Sequence, residues 1–330
     1  MRTVFEEILT ALERGQAVTR IAIVKSSGST PRAAGASMAV FEDGSITGTI
    51  GGGSVEYASY MAAKKLAPGQ TTIREFDLTP NDAASIGMVC GGSMTVLLDS
   101  LLPTEENVQL VQKIVDQFSS PETRLLATTL TTNGTVTQRE VLPVNDDTND
   151  AKTEPFLRCN EQNTTYFEPL LAPETVHFIG GGHVSQATAK LAAFTGFRVI
   201  VVDDREEFAN SERFPDATEV RIAASLKDCL PAQLGPKDYV VIMTRGHLHD
   251  RDVLAQALNT NAGYVGMIGS KKKRSATYES LLKDGFTQAA LNQVHCPIGL
   301  SIGADTPEEI AISIMAELIM MRKKDRHNLQ

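Results

Sequence analysis

His177-Phe178-Ile179-Gly180-Gly181-Gly182-His183-Val184-Ser185 runs from an apolar stretch through three glycines into a helical pattern, and it decides the fold of the second half of the chain. Gly180 permits a tight turn out of a strand, and Gly182 lets a phosphate approach the backbone. Ser185 stands where a GxGxxG fingerprint has its third glycine. Residues 184–195 read as the helix whose free N–H groups and positive dipole end, beginning at His183, would face such a ligand. Asp203 lies 21 residues beyond Gly182, at the end of the next apolar run. A carboxylate there can bind ribose hydroxyls, and Asp204 is the neighbouring candidate. The alternative is a scaffold of the same form that binds no nucleotide.

Outward from that loop, apolar runs at 176–179, 198–202, 239–243 and 264–268 alternate with helical patterns at 184–195, 252–258, 271–284 and 307–322. Such alternation predicts a Rossmann-like, doubly wound parallel sheet. Thr244-Arg245-Gly246-His247-Leu248-His249-Asp250 follows one of these strands, at the carboxyl edge where such sheets bind ligands. The two histidines and the aspartate hint at a metal, but third and fourth ligands are not evident, and a hydrogen-bonding cluster is the preferred reading. Gly269-Ser270-Lys271 follows another strand. Ser270 can cap the next helix, whose N–H groups together with Lys271 suit a phosphate; a solvated basic turn is the equal alternative. Thr306-Pro307-Glu308-Glu309 has the spacing of a capping box.

The first half has a different texture. Residues 1–14 form an amphipathic helix, 17–25, 36–41, 45–50 and 94–99 read as strands, and 54–66 and 105–118 as helices. A hairpin is expected over 125–141, folded at Asn133-Gly134. The chain is therefore read as α/β: an N-terminal α+β domain over 1–143, a polar insert or linker over 144–172, and a Rossmann-like domain over 173–330.

Three loops in the first domain bear chemistry. Gly28-Ser29-Thr30-Pro31-Arg32 ends one strand, and Arg32 offers a cation with a bidentate fork. Gly51-Gly52-Gly53-Ser54-Val55-Glu56 opens a helix, and three successive glycines can expose N–H groups as a nest for an anion. The glycines could equally be a tight turn, and Glu56 an acid favoured by the helix dipole. In Cys90-Gly91-Gly92 the flanking glycines leave the thiol accessible, as a soft metal ligand or a sulfur-carrying nucleophile. The alternative is a small buried residue in a turn.

Composition excludes several classes. The 330 residues carry a net charge of −9, with 21 acids against 13 bases in 1–172 and 19 against 18 in 173–330. An acidic chain repels nucleic acid and anionic membranes, so any anionic ligand needs local dipoles and a few placed cations. No apolar run reaches the ~18 residues of a membrane span, and the N-terminal helix lacks the pattern of a signal peptide, which predicts a cytoplasmic protein. The four cysteines show neither zinc spacing nor a disulfide framework.

Taken together, these loops resemble the XdhC/CoxI family, the xanthine dehydrogenase accessory factors. The resemblance runs from Gly28-Ser29-Thr30-Pro31-Arg32 through Gly51-Gly52-Gly53-Ser54-Val55-Glu56 and Cys90-Gly91-Gly92 in the first half. It continues through Gly180-Gly181-Gly182-His183, Asp203-Asp204-Arg205, Gly266-Met267-Ile268-Gly269-Ser270, Pro297-Ile298-Gly299-Leu300 and Thr306-Pro307-Glu308-Glu309. It implies a chaperone with no turnover of its own. Such a protein binds the molybdenum cofactor, as molybdopterin or its cytosine dinucleotide form, protects it during sulfuration and inserts it into an apo xanthine dehydrogenase-type hydroxylase. By the same resemblance Cys90 would ligate molybdenum or touch its ligand set. Arg32 and the Gly51, Gly52 and Gly53 loop would hold the pterin or its phosphate, and the Gly180 loop would hold a nucleotide, the cofactor's own or NAD. A cysteine desulfurase as second partner and a homodimer are also implied. Two other classes stay open: an NAD(P)-dependent oxidoreductase and a structural subunit of the dehydrogenase.

Overall fold

The first helix, α1 (Arg2–Glu13), places Val4, Phe5, Ile8, Ala11 and Leu12 on one buried face, as its amphipathic spacing predicts. It belongs to a computed structural model that describes the chain except for residues 29, 78–91, 119, 121, 132–134, 145–153 and 329–330. The chain divides into two compact units, Met1–Ala172 and Pro173–Gln330.

In the first unit, β1 (Val18–Gly28) is the central strand of a sheet ordered β3-β2-β1-β5-β4. Its neighbours are β2 (Ser37–Phe41), β3 (Ile46–Gly48), β4 (Thr71–Asp77) and β5 (Gly92–Leu101), every pair antiparallel. Alternation along β1 sends Ile21 and Ile23 to a core roofed by α2 (Gly53–Ala63). Ala22 and Val24 point the other way, onto a second sheet ordered β7-β6-β9-β8. That sheet comprises β6 (Arg124–Thr131), β7 (Val136–Pro143), β8 (Phe156–Cys159) and β9 (Asn163–Leu170). α3 (Glu105–Gln117), capped by Thr104, joins α1 over a third core.

The stretch read as a linker departs from that expectation. Residues 156–170 form β8 and β9, and β9 sits between β6 and β8 in the sheet. Asn160, Glu161, Gln162 and Asn163 look like loop, but Asn160 Oδ1 accepts from the N–H groups of Gln162 and Asn163 and closes a hairpin. Glu168, polar in sequence, is buried because it grips Arg20 of the facing sheet, both carboxylate oxygens lying 2.5 Å from the guanidinium. β4 is a further strand beyond those expected: its Thr-Thr-Ile-Arg-Glu-Phe-Asp composition is that of an edge strand with one wet face. The hairpin turn at Asn133-Gly134 lies outside the described residues.

The second unit is the expected doubly wound sheet. Its strands are β10 (Thr175–Ile179), β11 (Arg198–Asp203), β12 (Glu219–Ile222), β13 (Asp238–Ile242) and β14 (Tyr264–Met267). They pair in parallel in the order β12-β11-β10-β13-β14. α4 (His183–Phe194) and α8 (Pro307–Asn328) contribute to the core on one face. α5 (His247–Leu258), α6 (Lys271–Lys283) and the short α7 (Gln288–Leu291) serve the other. Thr306 and Glu309 form the capping box of α8, each side chain accepting from the other's N–H. Among the described residues no helix is long and apolar enough to cross a membrane.

The Arg20–Glu168 pair is the most deeply buried ion pair among the described residues. Removing one partner leaves the other charged and desolvated, which costs about 3–5 kcal/mol. Glu168→Ala should therefore lose about that much in urea unfolding. A loss below about 1 kcal/mol, the value of an exposed pair, would refute the burial.

Candidate functional site

In the second unit the turn from β10 into α4 requires glycine for three different reasons. Gly180 has φ +109°, and a Cβ there would lie 2.3 Å from the Met243 carbonyl oxygen and 3.0 Å from Thr244 Cα. This is the switch point of the sheet, where β10 has β11 on one side and β13 on the other. A Cβ on Gly181 would lie 2.3 Å from the Phe208 carbonyl oxygen. At Gly182 a Cβ would meet nothing within 4 Å, and α4 has no side-chain cap there. The N-terminus of α4 therefore opens outward with His183 at its first position, as an anion site requires. Ser185, at the missing glycine, turns inward and donates to the Gly180 carbonyl.

Asp203 does not take the role expected of it. It is buried, and its carboxylate accepts from the Gly181 N–H at 2.7 Å and from Arg205, through the N–H at 3.0 Å and Nε at 2.9 Å. Burial opposes its ionisation, but Arg205 and the Gly181 N–H outweigh that and hold its carboxyl below the ordinary value. It braces the glycine loop from beneath. The more exposed carboxylate at this strand end is that of Asp204, flanked by Arg205, whose guanidinium stacks 3.8 Å from the Phe208 ring centre.

The neighbouring strand ends form a connected cluster. Asp250, fully buried, accepts from the Thr244 hydroxyl at 2.6 Å and the Thr244 N–H at 3.2 Å, and pairs with Lys273. α5 starts at His247, earlier than sequence suggests, so Asp250 lies in its first turn and reaches back to the strand end. Within that loop the hydrogen bonds run between Thr244 and Asp250, and among the described residues no group of three or more His, Cys, Asp and Glu could hold a metal. Ser270 caps α6 through the Lys273 N–H, as expected. Lys271 is exposed, whereas Lys273, which the sequence reading passes over, crosses Gly269 and donates to the Ile268 carbonyl at 3.2 Å. Its signal is position: three residues after the cap, a helix returns to its inner side.

In the first unit two pairs of glycine loops are in contact. Gly28 pairs with Gly92, and the hydroxyls of Ser27 and Ser93 meet at 2.8 Å. A Cβ on Gly51 would lie 2.6 Å from Pro31 and 3.3 Å from Arg32 Cγ, so the loops bearing Arg32 and Gly51 touch. Gly51, Gly52 and Gly53 all have positive φ, and Gly52 faces open space. The anion nest, however, is filled from within. Glu56 Oε2 accepts from the Thr49 hydroxyl at 2.5 Å, the Ile50 N–H at 2.9 Å and the Gly52 N–H at 3.1 Å. Burial opposes its charge, but these donors outweigh burial and depress its carboxyl below the ordinary value. Glu56 is thus a loop brace and no contact for an anion. Cys90 and Gly91 lie outside the described residues; Gly92, the next residue, opens β5.

Comparison with known proteins bears on both halves. A family model described as the XdhC Rossmann domain matches residues 176–318, and one described as the XdhC and CoxI family matches residues 11–77. A protein of Bacillus subtilis named as a probable xanthine dehydrogenase subunit is 28% identical, over 97% of this chain and 98% of that protein. The molybdenum cofactor insertion chaperone PaoD of Escherichia coli is 24% identical, over 97% of this chain and 88% of its own length. A crystal structure described as a xanthine dehydrogenase from Bacillus halodurans is 25% identical and superposes with a TM-score of 0.77, covering 97% of this chain and 96% of that one.

Gly182→Val should fold with near-normal stability, because its side chain enters open space, and should block a phosphate at the start of α4, read by calorimetry of both proteins with NAD and cytidine nucleotides. Gly180→Ala should instead destabilise the unit, since its Cβ meets Met243. Equal affinity in Gly182→Val and wild type would show that no phosphate sits there. The braced carboxyls also set a pH dependence. Carboxyls depressed in the folded state contribute fully above about pH 4 and lose that contribution as pH falls through the lowered value. Acid unfolding of Asp203→Asn should accordingly be less steep than that of wild type, and an unchanged slope would contradict the Gly181 and Arg205 contacts.

Proposed function

Because the chain belongs to the XdhC and CoxI family, we propose that it is a maturation factor that binds the molybdenum cofactor and inserts it into an apo xanthine dehydrogenase-type hydroxylase. The observation that carries this reading is the contact between the loops bearing Arg32 and Gly51, in a unit where Gly28 at the end of β1 pairs with Gly92 at the start of β5. Gly92 follows Cys90 by two residues. A soft thiolate from Cys90 suits molybdenum, and the open backbone at Gly52 leaves room for a flat ring. The phosphate would be met by Arg32, since Glu56 already fills the nest. In the second unit, the α4 N-terminus at Gly182 would take the diphosphate of a nucleotide, either the cytosine dinucleotide form of the cofactor or NAD.

In this reading the chain shields the cofactor in the cytoplasm while its oxo ligand, leaving as water, is replaced by sulfide that a cysteine desulfurase persulfide and a cellular thiol reductant together release, and then lets the cofactor go. The similarity to a PaoD chaperone supports delivery. The name of the Bacillus subtilis relative favours a second reading, a lasting subunit of the dehydrogenase. A deliverer leaves the client after loading, whereas a subunit stays with it.

Cys90→Ser should lose bound molybdopterin, assayed by the fluorescence of the released pterin. Cys229→Ser should keep it, because Cys229 is buried and its thiol pushed up to about 11 by that burial. Client hydroxylase from cells lacking this protein should be present as inactive polypeptide depleted in molybdenum or its sulfido ligand. Loaded wild type should restore its xanthine oxidation and Cys90→Ser should not. A fully active client from such cells would overturn the proposal, and copurification of restored client with this chain would favour the subunit.

A further inference from the structure

Between α6 and α7 the second unit holds a cleft of about 410 Å³, within the size range of small-molecule sites. The cofactor reading makes no use of it. Along α6, Arg274, Tyr278 and Leu282 recur every four residues and so share one face, which lines the cleft. Leu291 of α7 and Val294 just beyond it, both buried, add apolar lining. Glu279 lines it as well.

A guanidinium drawn out of water is normally paired. Arg20, Arg139, Arg205 and Arg251 each meet a carboxylate. Arg274 is half-buried, yet among the described residues no carboxylate lies within ion-pair distance of it. The chain carries 40 acidic side chains against 31 basic ones, so the vacancy is not for want of acids. Asp250, on the neighbouring α5, is taken by Lys273. Arg274 Nη1 donates to the Cys296 carbonyl at 2.9 Å, which anchors the guanidinium. Its Nε and Nη2, one edge of the fork, have no acceptor among the described residues. One turn on, the Tyr278 hydroxyl likewise has no hydrogen-bond partner among the described residues. Burial, and next the Cys296 thiol, push that phenol up to about 12, so it stays protonated and able to donate.

We propose that the α6–α7 cleft binds a small aliphatic monocarboxylate, its acid group on Arg274 and Tyr278 and its body on Leu282, Leu291 and Val294. The lining sets the class. One unmatched cation and one hydroxyl donor suit a single acid group, and the apolar side chains suit a hydrocarbon body. Glu279 repels a second negative charge and so disfavours a dicarboxylate. Free amino acids and keto acids share this chemistry. The proposal stands apart from the cofactor reading and would hold for a protein that carried no molybdenum.

Saturation-transfer NMR on the full chain, with leucine and with its keto acid, tests this. Isoamyl alcohol serves as the body without the acid, and succinate as the dicarboxylate. At least one of the first two should bind with a dissociation constant on the order of a millimolar, as about nine non-hydrogen atoms in an open cleft allow. Isoamyl alcohol and succinate should bind at least about tenfold more weakly. A preference for leucine that Glu279→Gln removes would support an amino acid as the source, and a preference for the keto acid would support the other. Arg274→Gln should weaken binding about tenfold or more. That change also removes the bond to Cys296, so Leu282→Glu, at an exposed position, supplies a second reading. It sets a like charge beside the ligand and should weaken binding by a similar factor with melting unchanged. Failure of both carboxylates to bind, equal binding of isoamyl alcohol, or affinity unchanged in both Arg274→Gln and Leu282→Glu would each overturn the proposal.

Discussion

A loop that leaves a buried strand end carries backbone N–H groups that must find acceptors, and in this protein carboxylates meet that requirement. Glu56 gathers the Ile50 and Gly52 N–H groups, Asp203 the Gly181 N–H, and Asp250 that of Thr244. Glu317 does the same between β14 and α8. It accepts from the Tyr264 hydroxyl and the Gly299 N–H, both at 2.7 Å, and pairs with His295 at 2.8 Å. Asp238 accepts from the Gly235 N–H at 2.8 Å and pairs with His177 at 2.9 Å. An unsatisfied buried donor costs about 1–3 kcal/mol, so each of these acids holds a loop that glycine alone would leave loose.

The same constraint limits where a ligand can be held. A nest whose donors are occupied by an internal carboxylate neither needs an external anion nor welcomes one. Among the described residues, the open space over Gly52, the guanidinium of Arg32 and the uncapped start of α4 at Gly182 stay available. In the second unit the cations Arg205 and Lys273 are paired with Asp203 and Asp250. A nucleotide there would be positioned mainly by backbone dipoles, with the half-buried Asp204 at its edge. Such a site would grip a ligand by shape and hydrogen bonding, with modest electrostatic pull.

Much of this is legible in sequence. Strand–glycine–helix order in the second unit, its parallel sheet and the Thr306–Glu309 capping box depend on local rules of turn and cap, and all are present. The roles of Glu56 and Asp203 are not, because spacing places an acid near a loop without saying which way it points. The difference between bracing a turn and binding a sugar is a matter of burial. β8 and β9 are hidden for a related reason: Glu168 looks like surface until Arg20, 148 residues away, is seen opposite it. Lys273 yields to Lys271 in the sequence because three lysines in a row give no hint of which one faces inward. Cys90, on which the sequence argument leans most, lies outside the described residues.

The central claim is that this chain carries a molybdenum-bearing pterin, and native mass spectrometry of protein purified from molybdate-fed cells tests it most directly. The account predicts a bound species whose isotope envelope carries the molybdenum pattern and whose mass matches molybdopterin or its cytosine dinucleotide. A protein that sprays only as the bare polypeptide, or that carries NAD and no molybdenum, would contradict it.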